Sequence, residues 1–350
     1  MTVSKELVVA ATLVAAWLPG VGLAAGQASG AGWSRFHFAQ TEMAVPMEAT
    51  LYAADSAAAT IAAQAAFARI HQLNAIMSDY DPQSELCRLS NASGEGAATA
   101  VSDDLWKVLS QAQEISRRSH GAFDVTVGPV VRLWRRARRR KELPSASQIK
   151  AALSLVDYRL MRLDPQRHSV ELLRKGMRLD LGGIAKGYAM GEALAVLRAQ
   201  GVPAAMIHGG GDMALGDPPP GKPGWRVGIA PLDVNAPPSF YLWLSRCAVS
   251  TSGDAWQFVE IGGKRYSHIV DPHTGVGLVD HSMVTLVGSD SMLTDGLTKA
   301  VLVEGPERGL QLVEATPCMA AYIVRSPQSK TETYQSSRWK QLPLAAARDR

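Results

Sequence analysis

The run of residues 178–188 constrains the fold of this 350-residue chain more than any other. It reads Arg-Leu-Asp-Leu-Gly-Gly-Ile-Ala-Lys-Gly-Tyr and predicts a short strand over 178–181, a glycine turn at 182–183 and then a helix. From about Ile184 apolar residues recur at helical spacing until Gly201 ends the pattern. Because glycine has no Cβ, its backbone can turn sharply and approach a ligand closely. The run therefore predicts a tight strand-to-helix connection.

The start of the predicted helix is a candidate anion site. A helix N-terminus presents unpaired N–H groups and partial positive charge, and Lys186 adds a full charge in the first turn. An ordinary strand-to-helix turn is the alternative that this segment alone leaves open. A Walker loop is excluded because Gly187, not Ser or Thr, follows the lysine, and the dinucleotide pattern Gly-x-Gly-x-x-Gly is missing.

The segment closely resembles the signature of the FAD:protein FMN transferase (ApbE) family. Further blocks that resemble this family occur in the family's order: 77–89, 121–129 with 133–134, 208–212, 225–231, 250–254, 267–275 and 294–300. The resemblance extends over roughly residues 40–325. It implies one α+β domain of mixed, largely antiparallel sheets with packed helices, in which the glycine-rich blocks line a single FAD cleft.

The residue pattern by itself also indicates an α+β fold. Apolar residues make up 47% of the chain and charged residues 19%, which is ordinary for a globular domain with a sizeable core. Helical periodicity predicts helices over 60–77 and 103–119. Strands are predicted at 49–53, 160–163, 170–173, 204–207, 226–230, 240–244, 248–250, 283–287 and 319–324. Short turns between neighbouring strands favour antiparallel pairing.

The N-terminal segment differs in kind from the rest. Its apolar, alanine-rich run over 7–25 predicts a secretory signal peptide over 1–28, and an uncleaved membrane anchor is the alternative. We expect an exported, periplasmic protein with the ApbE-like domain over 29–335 and a C-terminal tail over 336–350. The three cysteines show no metal-ligand spacing and do not require a disulfide.

A basic run over 132–141 contains six arginines and one lysine. No aromatic stacking platform accompanies it and an exported chain meets little nucleic acid, so we expect no nucleic-acid partner. We interpret the run as a solvated helix face or loop. Electrostatic steering of an anionic dinucleotide is the alternative.

The resemblance assigns site residues by position. It implies FAD contacts at Met43, Tyr80, Ala122, Phe123, Asp124, Asp180, Lys186, His268 and Ile269. It also implies a Mg²⁺ ion held by the Gly183 carbonyl and the Asp295 carboxylate.

The implied reaction transfers FMN from FAD to a threonine of an exported acceptor protein and releases AMP. Lys186 would neutralise the diphosphate, an ion on Asp295 would act as a Lewis acid, and His268 is the candidate base. Hydrolysis of FAD to FMN and AMP, and a non-catalytic FAD-binding or donor protein, are the alternatives. The implied acceptor is a subunit of a membrane redox complex with a motif of the type Asp-Gly-x-Ser/Thr-Gly/Ala-Ala-Thr.

Two positions depart from the family pattern. The family usually has Met-Gly-Thr where this chain has Met43, Ala44 and Val45. The added methyl group closes space that glycine would leave, and valine lacks the hydroxyl. We therefore expect a shifted or weaker grip on the flavin end of FAD, without loss of the fold.

The second departure is Lys299, which stands where the family usually has a threonine ligand to the metal, four residues after Asp295. Residues at i and i+4 are neighbours on a helix. A fixed positive charge there opposes binding of a divalent ion by roughly 1–4 kcal/mol. Lys299 either replaces the metal, or it turns away and leaves the ion on Asp295, the Gly183 carbonyl and Thr298. We expect weakened dependence on Mg²⁺.

Overall fold

Most of the chain is arranged around a large antiparallel sheet whose order does not follow the sequence. The computed structural model describes residues 28–29, 32–233, 235–255, 257–327 and 330–346. The predicted signal peptide, 1–28, lies outside the described residues except for Ala28. The described strands are β1 (Ala28–Ser29), β2 (Trp33–Glu42), β3 (Val45–Ala53), β4 (Thr99–Ala100), β5 (Met161–Asp164), β6 (Ser169–Leu172), β7 (Ala205–Gly209), β8 (Asp212–Leu215), β9 (Trp225–Ile229), β10 (Phe240–Leu244), β11 (Cys247–Gly253), β12 (Phe258–Ile261), β13 (Lys264–Ser267), β14 (Ser282–Gly288), β15 (Ala320–Arg325), β16 (Glu332–Gln335) and β17 (Leu344–Ala345).

The α-helices lie between these strands in the chain. They are α1 (Ser56–Met77), α2 (Glu85–Asn91), α3 (Asp103–Arg118), α4 (Gly128–Arg140), α5 (Ala146–Leu153), α6 (Ala185–Ala199) and α7 (Ser291–Glu314). Helix α7 is interrupted at Gly305, whose φ is 76° and which is followed by Pro306. Helix α3 begins as the sequence predicts, because the Ser102 side chain accepts the Leu105 N–H at 3.3 Å. None of the helices in the described ranges is long and apolar enough to cross a membrane.

The large sheet has the order β1-β2-β3-β7-β8-β11-β14-β15-β16, with antiparallel neighbours. Helix α6 packs against both α1 and α7, and α6 and α7 also pack on the central strands of the sheet. Their buried side chains belong to the main core with Leu51, Ile207 and Leu286 from the sheet. A second core cluster joins the sheet to β9 and β10 through residues such as Trp225 and Val249.

This arrangement confirms the predicted α+β fold with largely antiparallel sheets. Nine of the ten predicted strands and the three predicted helices are present, with ends shifted by four residues or fewer. The strand predicted over 178–181 is wrong. Only Arg178 forms an isolated bridge, to Val127, and the following N–H groups of Leu179 and Asp180 bond to the Ser90 hydroxyl and the Val125 carbonyl. These partners lie on different segments, so no ladder forms.

The segment predicted as a C-terminal tail, 336–350, is described as far as residue 346 and packs on the domain. Trp339 is buried in the second core cluster, and the Ser336 hydroxyl accepts the Ala321 N–H at 2.9 Å. Strand β17 pairs with β10. The chain after 335 therefore adds an edge strand to a small sheet of order β17-β10-β9.

The two-residue turn between β2 and β3 explains one departure from the family pattern. Glu42 pairs with Val45, and the intervening Met43 and Ala44 have φ values of 49° and 63°. Two successive left-handed residues form the type I′ turn that suits a twisted hairpin. Glycine adopts this conformation without the steric cost that Ala44 incurs.

We expect Ala44→Gly to stabilise the protein by about 0.5–1 kcal/mol, because relief of the left-handed strain exceeds the added entropy of the unfolded chain. Urea denaturation measures the change. Ala65→Gly, inside α1, is the matched control and is expected to lower stability by about 1 kcal/mol. A loss of stability in both variants contradicts the strain argument.

The double variant Ala44→Gly, Val45→Thr should bind FAD more tightly than the unaltered protein. An unchanged dissociation constant for FAD contradicts the expected effect of these two positions on flavin binding.

Candidate active site

Four charged side chains, here called the charge cluster, meet between α6, α7 and β8. They are Lys186 in the first turn of α6, Asp212 at the start of β8, and Asp295 and Lys299 one turn apart on α7. The Lys186 ammonium contacts Asp212 Oδ2 and lies 3.9 Å from Asp295 Oδ2. The Lys299 ammonium contacts Asp295 Oδ1 and lies 3.1 Å from the Asp295 main-chain oxygen. Two carboxylates therefore hold two ammonium groups in one place.

Asp295 is fully buried at the centre of the charge cluster. Its Oδ2 accepts the main-chain N–H of Gly187 at 2.9 Å, in the first turn of α6 where the helix dipole favours an anion. Burial alone would raise the pKa of Asp295, but the charges of Lys186 and Lys299 outweigh it and lower that pKa. The protein's own carboxylate thus fills part of the anion site that the sequence predicts at this helix end.

Close packing of α6 on α7 makes these contacts possible. A Cβ on Gly187 would lie 2.7 Å from the Asp295 Cβ, and one on Gly191 would lie 2.5 Å from the Ser291 Oγ. Both distances are shorter than van der Waals contact, so glycine at these two positions lets the helix backbones approach. The glycine after Lys186 therefore serves the helix contact, in addition to donating its N–H to Asp295.

Asp212 is a site residue that the sequence analysis missed. Its side chain is 2% exposed, and Oδ1 has no hydrogen-bond partner among the described residues. Burial and the nearby Asp295 charge raise the pKa of Asp212 in spite of Lys186. A usable signal was present, because Asp212 ends the glycine-rich block 208–212.

The residues around Asp295 do not fit a divalent metal site. Lys299 does not turn away from Asp295, and its ammonium occupies the carboxylate on which the resemblance places the ion. The Thr298 hydroxyl donates to the Asp295 main-chain oxygen at 2.7 Å and lies 2.8 Å from the Ser252 hydroxyl. Its oxygen is thus engaged within the fold. In the described part of the chain, no group of three or more His, Cys, Asp or Glu side chains could hold a metal ion.

His268 has a fixed tautomer. Its Nδ1 lies 3.0 Å from the Gln257 main-chain oxygen, which can only accept, so Nδ1 carries the proton and Nε2 keeps its lone pair. Desolvation of the partly buried ring lowers the pKa of His268 to about 4, and the positive charges of Lys299, Arg138 and Lys186 act in the same direction. The imidazole is therefore neutral at pH 7, with Nε2 able to accept a proton.

Arg135 organises a second group of predicted site residues. Its guanidinium contacts Asp79, donates to Asp180 Oδ2 at 2.9 Å and lies 4.3 Å from the centre of the Tyr80 ring. The Tyr80 residue is 70% exposed. Asp180 Oδ1 also accepts the Gly182 N–H at 2.9 Å, which holds the glycine turn. Asp180 and Tyr80 are therefore brought together through an arginine that the sequence analysis assigned to solvent.

The segment 122–124 lies beside the glycine turn, and its aspartate is used inside the fold. A Cβ on Gly183 would lie 3.2 Å from Phe123 and 3.6 Å from the Lys299 side chain, so these residues adjoin one another. Asp124 Oδ1 accepts from the N–H and hydroxyl of Thr126, and Oδ2 accepts the Tyr158 N–H. Burial raises the pKa of Asp124 to about 6. The Asp124 carboxylate is engaged with the protein, so the segment can offer a ligand its backbone or Phe123 instead.

The remaining predicted contacts divide between the hairpin tip and β13. A Cβ on Gly210 would lie 3.3 Å from Val45 and 3.6 Å from the Lys186 side chain, which places the tip with Met43 near the charge cluster. Ala122 and Ile269 are buried. Ile269 follows β13, and its N–H donates to the Ser267 hydroxyl at 3.1 Å.

The comparisons with known proteins agree with this fold. A sequence model described as the ApbE family matches residues 43–323. FAD:protein FMN transferase of Treponema pallidum is 30% identical over 323 residues, covering 88% of each chain. The Vibrio cholerae protein of the same description is 31% identical over 282 residues, covering 77% of this chain and 81% of its own length.

Solved structures give the same result. The apo form of the flavinyl transferase ApbE of Pseudomonas stutzeri superposes with a TM-score of 0.79 at 26% identity, covering 91% of this chain and 100% of the other. The matched segment includes the glycine turn, the charge cluster and His268. The chain belongs to the ApbE family.

Lys299→Thr is expected to create metal affinity, because it removes a positive charge from Asp295 and adds a ligand oxygen. Free Mn²⁺ measured by electron paramagnetic resonance should show a dissociation constant at least about tenfold lower than in the unaltered protein. Lys299→Met removes only the charge and should give an intermediate value. Any activity of the unaltered protein should survive chelation, and Lys299→Thr should require Mg²⁺. Full loss of activity with chelator, restored by micromolar Mg²⁺, contradicts this expectation.

His268 is expected to stay neutral down to about pH 4. Its imidazole resonance, assigned by its absence in His268→Gln, should titrate near that pH in NMR spectra of the protein. Lys299→Met should raise the titration midpoint, because a positive charge that disfavours the imidazolium is removed. A midpoint near 6.5 in the unaltered protein would contradict the expected desolvation of this partly buried ring.

Proposed function

We propose that this protein transfers FMN from FAD to the hydroxyl of a threonine in an acceptor protein, forming a phosphodiester and releasing AMP. Membership of the ApbE family supports the class of reaction, since the relatives compared above are named FAD:protein FMN transferases. The observation that carries the proposal for this chain is a pair of partly buried ammonium groups whose charges act on a neutral imidazole of fixed tautomer.

In the proposed reaction the threonine oxygen attacks the FMN phosphorus. A new oxygen–phosphorus bond forms, and the bond from that phosphorus to the bridging oxygen breaks, so that AMP leaves with the bridging oxygen. Nε2 of His268 accepts the threonine proton. The positive charges of Lys186 and Lys299 stabilise the charge that develops on the phosphate oxygens. Once the lysines bind phosphate, Asp212 and Asp295 keep them positioned.

The positive charge comes, in this proposal, from two lysines and not from Mg²⁺. The supporting observations are the contact of Lys299 with Asp295 and the engagement of the Thr298 hydroxyl by Ser252. The proposed FAD contacts remain Met43, Tyr80, Ala122, Phe123, Asp124, Asp180, Lys186, His268 and Ile269. For Asp124 the contact is assigned to its backbone.

The proposed site of action is outside the cytoplasmic membrane, in the periplasm. Its basis is the apolar run over 7–25 with small residues after it, which is typical of a signal peptide. The acceptor would then be an exported protein, such as a subunit of a membrane redox complex.

Incubation of the purified protein with FAD and a carrier protein that displays the acceptor motif tests the proposal. We expect covalent flavin fluorescence on the carrier in a denaturing gel and equimolar AMP, with chelator present. The matched control carrier has valine in place of the acceptor threonine and should stay dark. His268→Gln should reduce the rate at least about 100-fold, while FAD binding measured by fluorescence quenching is retained.

The rival functions give different results in the same assay. Release of AMP and free FMN at the same rate with either carrier means that water is the acceptor, and the enzyme is then a hydrolase. Bound FAD without AMP release under any metal condition means a donor or binding protein. Either result contradicts FMN transfer.

A further inference from the structure

The outer face of α4 carries four arginines that have no role in the proposed reaction. Arg132, Arg136, Arg139 and Arg140 are exposed, whereas Trp134 on the other side of the helix is buried. These four residues are here called the arginine face. Arg136 is four residues after Arg132, and Arg139 and Arg140 are three and four residues after Arg136, so the Arg136 side chain is a neighbour of the other three on the helix surface.

The arginine face is continuous with the candidate active site. Arg135, which contacts Asp79 and Asp180, is three residues from Arg132 and four from Arg139, so it adjoins both on the helix. Arg138, on the same helix, is near enough for its charge to act on His268. Arginine side chains therefore extend from the candidate site to the outer surface of α4.

Stability of the domain does not account for this face. Basic residues in the last turn of a helix complement its dipole, which covers Arg139 and Arg140 but not Arg132 and Arg136. Like charges at i and i+4 repel each other. The ion pairs found across the described residues include none of the four arginines, although Arg135 beside them has two. A row of unneutralised charges at the edge of a site is suited to a polyanionic partner.

We propose that the arginine face binds an acidic segment of the acceptor protein and so guides its hydroxyl to the site. This rests on the proposed function only for its catalytic consequence. From Arg132 to Arg140 the helix rises about 12 Å, which matches roughly four residues of extended peptide. FAD has only two phosphates, and the proposed reaction places them at Lys186 and Lys299. Leu143, 48% exposed just beyond α4, offers the same segment an apolar contact.

Binding is tested without catalysis, by fluorescence anisotropy of a labelled peptide with four consecutive glutamates. We expect binding at low salt that is lost at about 0.3 M NaCl, and no binding of the peptide with four glutamines. The triple variant Arg132→Glu, Arg136→Glu, Arg139→Glu should not bind it. The corresponding triple glutamine variant, which carries less risk of misfolding, should bind at least about tenfold more weakly.

The matched control changes net charge equally at exposed positions outside α4. Arg167→Glu, Lys222→Glu and Lys330→Glu together should bind the acidic peptide as the unaltered protein does. FAD affinity should be the same in all variants, because Arg135, Arg138 and the charge cluster are untouched. Reduced FAD affinity in the arginine-face variants, with no peptide binding by the unaltered protein, overturns the proposal in favour of dinucleotide steering.

The catalytic test compares two carriers whose acceptor threonine is flanked by four glutamates or by four lysines. The unaltered protein should flavinylate the acidic carrier with a kcat/KM at least about tenfold higher, and the triple glutamate variant should prefer the basic carrier. Equal preference in both proteins overturns the proposal. If neither carrier is flavinylated but the acidic peptide binds, the proposed function fails and the arginine face stands as a binding surface. If the protein binds phosphatidylglycerol vesicles but not the acidic peptide, the arginine face is a membrane contact and the proposal is overturned.

Discussion

The candidate site depends on the pairing of the buried Asp295 carboxylate with the ammonium groups of two lysines. A charge without solvent access is strongly unfavourable unless it is paired and hydrogen-bonded. Asp295 meets that requirement with the ammonium groups of Lys186 and Lys299 and the N–H of Gly187. Each partner comes from α6 or α7, so the ion pairs and the helix contact require one another. The positions of the two lysines are therefore fixed by contacts made in the core.

Local sequence signals predicted most of the fold, and they failed where a contact is distant. Alternating and helical patterns located the central strands and α1, α3 and α6, because burial sets those patterns directly. The same alternation at 178–181 misled, since its N–H groups bond to Ser90 and Val125 on separate segments. A propensity pattern does not reveal which segment will supply a partner.

The site was predicted to a similar extent. The sequence blocks identified the glycine turn, Lys186, His268 and Asp295 as candidate site residues. They could not predict the geometry around these residues. The proton position on His268 depends on the carbonyl of Gln257, and the role of Arg135 depends on Asp79 and Asp180. The sequence did not predict Asp212 as a site residue, because its place in the site depends on its contact with Lys186. In each case the decisive partner lies on another element.

The contact of Gly187 and Gly191 with Ser291 has a consequence for how such a chain can change. The two glycines leave less than the width of one methyl group between α6 and α7. A larger side chain at either position would move the helices apart and lengthen the pairings of Asp295 with Lys186 and Gly187 at the same time. Variation at 187, 191 and 291 is thus coupled to the electrostatics of the site. Surface residues can change independently of the site. A change in the spacing of α6 and α7, in contrast, also changes the distance between Asp295 and Lys186.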